Sequence, residues 1–131
     1  MNIKALAAYV IIAGLTGCAS NSAPPTGNES IVYIKAQVGD EMIARRLDTK
    51  ATNNLQNFTF TGAEHTMELG IVMTGHRDNH RRCLATISYA HFEPGTHYTL
   101  TQTNVASGEV AVSLIDADGE TLARAGKIPC V

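Results

Sequence analysis

The sequence predicts an all-β domain, an antiparallel β-sandwich of about seven to eight short strands running from residue 31 to residue 131. Three observations predict it. Apolar and polar residues alternate with a period of two over most of this stretch, no segment keeps a helical period long enough for an amphipathic helix, and clusters of turn-forming residues recur between the alternating runs. Closely spaced short strands with hairpin-type links are the pattern of sandwiches and small barrels, and the sandwich is the first choice.

The first strand runs over Ile31-Val32-Tyr33-Ile34-Lys35-Ala36-Gln37-Val38 and puts Val32, Ile34, Ala36 and Val38 on one face. Gly39-Asp40 then turns the chain into a second strand from Glu41 to Leu47. From Asp48 to Leu55 a one- or two-turn helix is an alternative, with Asp48 or Thr49 as its cap. Further strands are expected at Asn57 to Thr61, Thr66 to Thr74, Cys83 to Ala90, His97 to Thr103, Glu109 to Ile115 and Thr121 to Lys127. Glu93-Pro94-Gly95, Ala106-Ser107-Gly108 and Asp116-Ala117-Asp118-Gly119 supply turns between the later strands. The expected core contains Val32, Ile34, Phe58, Phe60, Leu69, Ile71, Ile87, Tyr98, Leu100, Val110, Val112 and Leu114.

At 131 residues the chain has room for one domain. Ten Lys and Arg stand against twelve Asp and Glu, and without Lys4 the remainder carries a formal charge of about −3. A nucleic-acid partner is not expected, because phosphate binding needs a basic excess.

The first seventeen residues have the parts of a secretory signal. Lys4 gives the positive start, Ala5 to Ala13 the apolar run, and small residues the exit. The run is too short to span a bilayer, which takes about 20 apolar residues. Leu15-Thr16-Gly17-Cys18 resembles the lipobox of bacterial lipoproteins at every position. That resemblance covers residues 1–20 and implies cleavage before Cys18, a diacylglyceryl group on its thiol and acylation, as by palmitate, of its new amino group. Several acyl chains anchor firmly, since each buried methylene contributes about 0.8 kcal/mol. Neither Ala19 nor Ser20 is the Asp that retains such lipoproteins in the inner membrane, so the resemblance implies the outer membrane. Residues 18–30 then read as the lipidated Cys and a flexible tether, too polar to fold and, with about a dozen residues, able to reach about 40 Å.

If lipid occupies Cys18, Cys83 and Cys130 are left as an even pair in an oxidising compartment, and a disulfide between them is expected. It would close a loop of about 48 residues, rated at roughly 4 kcal/mol. The alternative is two buried free thiols.

The one local cluster with chemical potential is His76-Arg77-Asp78-Asn79-His80-Arg81-Arg82. On extended backbone His76, Asp78 and His80 would share one side and offer ligands to zinc or copper. The same loop also reads as an electropositive tip, with Arg77, Arg81 and Arg82 able to dock an anionic partner, or simply as a solvated hairpin. Asp116, Asp118 and Glu120 have a calcium-like alternation, but the downstream Glu of an EF-hand is missing. His65, His91 and His97 fall at strand ends, where solvated or hydrogen-bonded histidines are ordinary. No metal or other cofactor is expected, and no catalytic set stands out.

The functional expectation is a non-enzymatic binding or assembly module of the bacterial envelope, held to the membrane by Cys18 and contacting an envelope protein or polymer. An inhibitor of a hydrolase is the second reading. The chain is similar in size, anchor and single disulfide to the small envelope lipoproteins that inhibit lysozyme, a likeness of architecture, and the Arg-rich loop or Phe92-Glu93-Pro94-Gly95 would be the inserted element. A metal-binding role for His76, Asp78 and His80 is the third.

Overall fold

Nine strands in two sheets make up the computed structural model, which describes residues 27–74, 80–106 and 108–131. The strands are β1 (Ser30–Lys35), β2 (Glu41–Leu47), β3 (Lys50–Ala51), β4 (Asn57–Phe60), β5 (His65–Thr74), β6 (His80–Tyr89), β7 (His97–Ala106), β8 (Glu109–Ile115) and β9 (Thr121–Pro129). One sheet has the order β4-β1-β7-β8-β9 and the other β3-β2-β5-β6, so the fold is the expected sandwich. Cys83 and Cys130 form the expected disulfide. The expected signal peptide over residues 1–17, Cys18, and the tether up to residue 26 lie outside the described residues.

Alternation decides which residues meet between the sheets. In β5, Met67, Leu69 and Ile71 point inward, and their partners Ile87, Ala85 and Cys83 on β6 do the same. Opposite them Val32, Phe58, Tyr98, Leu100, Val110, Val112 and Leu114 close a single cluster. Each large side chain taken fully from water in this way contributes about 1.5–3 kcal/mol. Of the expected core only Ile34 is not fully buried, while Met42, Ala44, Met67, Ala85 and Phe92 join it.

Three expectations need correction. β1 pairs with β7 in parallel, from Ile31 opposite His97 to Lys35 opposite Thr101, so the sandwich is not purely antiparallel. Alternation reports which face is buried and carries no strand direction, and a parallel pair becomes possible because a long connection separates β1 from β7. Second, Gly39-Asp40 does not close a hairpin. The turn, with Gly39 at φ 92, carries the chain from β1 in one sheet to β2 in the other. Third, Asp48 to Leu55 is not helical. Asp48 and Thr49 have φ 51 and 72, two successive left-handed residues that make a two-residue hairpin from β2 into the short β3. Asp tolerates this conformation and matches the right-handed strand twist, so a residue read as a helix cap becomes the first corner of a turn.

One seam between the sheets is bridged. There the chain end runs beside β6, where Arg82 N–H donates to Val131 O at 2.8 Å and Val131 N–H to Arg82 O at 2.9 Å, next to the disulfide. At the opposite edge of the four-stranded sheet the segment leaving β3 lies along β2, with Ala44 N–H donating to Leu55 O at 2.9 Å and Thr52 N–H to Arg45 O at 3.0 Å, where Arg45 is the extra residue of a bulge in β2. Edges that would invite pairing with other chains are thereby shortened or covered.

Candidate functional site: two poles and two faces

The strand registers define two ends of the sandwich. The chain enters at the end where β1, β5, β7 and β9 begin, and we call this the entry pole. Its centre is aromatic. Phe92 is buried and packs edge-on against Phe60, Tyr89 and Tyr98 with ring centroids 4.7, 4.9 and 5.0 Å away. The loop that carries it is pinned by Phe92 N–H to Ala63 O, by Glu93 N–H to the Tyr98 hydroxyl at 2.8 Å, and by the Ser30 hydroxyl to Glu93 O at 2.7 Å. A loop whose only large apolar side chain fills its own domain has none to insert into a partner's cleft. That weakens Phe92-Glu93-Pro94-Gly95 as an inhibitory element.

The same pole holds a His–Asp pair that the sequence reading did not join. His65 Nδ1 lies 2.6 Å from Asp48 Oδ2, and its Nε2 lies 2.7 Å from Thr61 O. One partner is a carboxylate oxygen and the other a backbone carbonyl, so the ring is held at both of its nitrogens. The ring also stacks on Phe60 at 4.1 Å. Neither nitrogen is left for a substrate or a metal. Asp48 in turn accepts Thr66 N–H at 2.8 Å on its other oxygen. Burial raises the Asp48 carboxyl, but the Thr66 N–H and the contact and charge of His65 outweigh it and hold the group below the usual carboxylate range. The pair is a staple between the β2–β3 turn and β5. The left-handed turn that presents Asp48 had no sequence signal, because Thr49 stands where Gly would mark it.

Carboxylates gather around this end: Glu29, Asp48, Glu64, Glu93, Asp116 and Glu120 all fall on its turns or strand starts. Burial raises the Tyr89 phenol, and so do its neighbours Tyr98, Glu93, Asp116 and Glu120. The alternation of Asp116, Asp118 and Glu120 is a turn device. Asp116 Oδ1 accepts the backbone N–H groups of Asp118 and Glu120, each at 2.9 Å, around Gly119 at φ 87. Among the described residues no group of three or more His, Cys, Asp or Glu is placed to hold a metal ion.

The far pole carries the disulfide, the chain end and the second half of the basic cluster. His76, Arg77 and Asp78 lie outside the described residues. His80, Arg81 and Arg82 open β6 and are exposed. Arg81 reaches over the β7–β8 turn, where a Cβ added to Gly108 would lie 2.6 Å from its Nη1. Beside them Gln102 is buried and fully partnered. It accepts Gln37 N–H at 3.2 Å and donates to Asp40 Oδ2 at 2.7 Å and Asn104 Oδ1 at 3.1 Å, while Asp40 Oδ1 takes Thr74 N–H. This network ties β7, the sheet-to-sheet crossover and β5 together. Nothing in an alternating strand pattern distinguishes such a Gln from its exposed counterparts.

The outer faces of the sheets differ in kind. Outside the four-stranded sheet, Ile43, Gly70 and Leu84 lie in one cross-strand row, and Arg45 and Arg46 each reach Glu68 at 3.8 Å. Outside the five-stranded sheet, one row reads Asn57, Tyr33, Thr99, Ile115, Thr121 and the next Lys35, Thr101, Ser113, Arg124. His91 and His97 are exposed, and His97 stands edge-on to Tyr33 with centroids 5.6 Å apart.

Fold and site together define a disulfide-closed, all-β sandwich with an acidic entry pole. Comparison with known proteins finds no family model, no curated protein and no solved structure that matches the chain.

Proposed function

We propose that the protein is a lipid-tethered, non-enzymatic binding module of the bacterial envelope, anchored through Cys18 at the outer membrane and contacting an envelope protein or polymer. The observation that carries this reading is polarity. Residues 27–30 join the sandwich at the entry pole, where Gly27 approaches Gly95 and Ser30 is tied to Glu93. A tether ending there leaves the far pole and both sheet faces clear of the membrane. The acidic groups around the entry also repel anionic headgroups, which holds the domain off the surface. The histidines support binding over catalysis: His65 has both nitrogens engaged, and His91 and His97 are exposed at opposite ends of one loop.

The test is fractionation and affinity capture of the intact protein from envelopes, with Cys18→Ala as control. The reading expects the intact form in the membrane fraction, the Cys18→Ala form released from it, and a specific envelope component co-purifying. Retention of Cys18→Ala in the membrane contradicts the anchor, and capture of no envelope component contradicts the binding role.

A further inference from the structure

We propose that the outer face of the five-stranded sheet binds an anionic polysaccharide strand. The proposal gives the binding-module reading a partner class, and it rests on that reading only for where the partner is met. Its argument is the composition of two adjacent cross-strand rows. Lys35 and Arg124 end one row, with Thr101 and Ser113 between them, and neither row contains a carboxylate although the chain as a whole is acidic. At about 4.8 Å per strand the two cations stand about 14 Å apart, too far to clamp one small anion and suited to successive charges on an extended polymer. Arg124 lies back along the face, its Nη1 3.5 Å from where a Cβ on Gly126 would be. That leaves a forked donor set lying along the sheet, suited to a carboxylate.

Between and beside the cations the face is hydroxylic. Thr99, Thr101, Ser113 and Thr121 each offer one donor and two acceptor sites, and Asn57 adds an amide. Such groups match sugar hydroxyls. Tyr33 gives the apolar platform that a pyranose ring stacks on. It is 43% exposed, and its edge-on contact with His97 fixes the ring. A protein partner fits less well, since the core of such an interface is apolar and aromatic, and here only Tyr33 and the half-buried Ile115 are apolar. A membrane surface fits less well too, because this face runs along the strands while the acidic pole lies nearest the anchor.

The test uses the full-length protein in detergent micelles with polygalacturonate as probe, and neutral dextran and glycerol 1-phosphate, the soluble headgroup of phosphatidylglycerol, as comparisons. Binding to polygalacturonate is expected, weakening with salt, with little binding to dextran. The K35E/R124E double variant should bind at least ten-fold more weakly and Tyr33→Ala several-fold more weakly. All three positions are on the surface, and an unchanged melting temperature confirms the fold. The proposal is overturned by absent polygalacturonate binding, by equal binding to dextran, by undiminished binding of K35E/R124E, or by glycerol 1-phosphate binding without polysaccharide binding. Any of these leaves Cys18 anchoring and envelope capture standing, so the two readings fail separately.

Discussion

The two ends of the sandwich reach order by different means. At the entry pole, four aromatic rings and a doubly hydrogen-bonded histidine hold short turns in place, so stability there comes from packing and local polar contacts. At the far pole a covalent bond and a buried glutamine hold elements that are distant in sequence, Cys83 to Cys130 and Gln102 to Asp40. A small core is thus closed with packed rings where tight turns join its strands and with a covalent staple where the elements that meet are far apart in sequence.

The most damaging single substitution falls at the entry pole. Phe92→Ala removes the ring on which three others converge and should cost about 3–5 kcal/mol in chemical denaturation. Faster amide exchange should appear first around residues 61–65 and 89–98, with the β6–Val131 pairing less affected. The mirror test is the double variant C83S/C130S, expected to cost about 2–5 kcal/mol. There the early exchange should be at Arg82, Val131 and the strand ends beside them. Gln102→Ala is the smaller test of the same pole. Leaving the Gln37 N–H without its acceptor and Asp40 short of a donor should cost about 1–3 kcal/mol.

The subtlest prediction concerns pH. The Asp48 carboxyl is held below its ordinary value in the fold, so its contribution is fully present above the unfolded-state value and is lost as pH falls through the folded one. Asp48→Asn should therefore be less stable than the parent at neutral pH, and the gap should narrow as pH drops below about 4. A gap that stays constant on acidification would show that Asp48 works only as a turn residue.

Much of the fold was legible because alternation is a direct record of burial. β2 and β8 fall where the sequence places them, Glu41–Leu47 and Glu109–Ile115, and eleven of the expected core residues are buried. Pairing was not legible. The parallel partnership of β1 with β7 depends on contacts far apart in sequence, and Lys50-Ala51, exposed on both sides, has no alternation to read. The candidate sites divide in the same way. A disulfide follows from counting cysteines, whereas the Asp48–His65 pair, the role of Gln102 and the row from Lys35 to Arg124 exist only once registers are known.

The tethered-module proposal has the protein held from its entry pole, with the rest of the domain facing away from the membrane. Dyes placed in turn at Glu64→Cys, in the β4–β5 turn, and at Val38→Cys, on the far crossover, test it in liposomes carrying the full-length protein and a headgroup quencher. Strands of ten residues separate these positions by about 30 Å. Stronger quenching is expected at position 64 than at position 38, with loss of both in the Cys18→Ala background. Equal quenching, or stronger quenching at position 38, would contradict it.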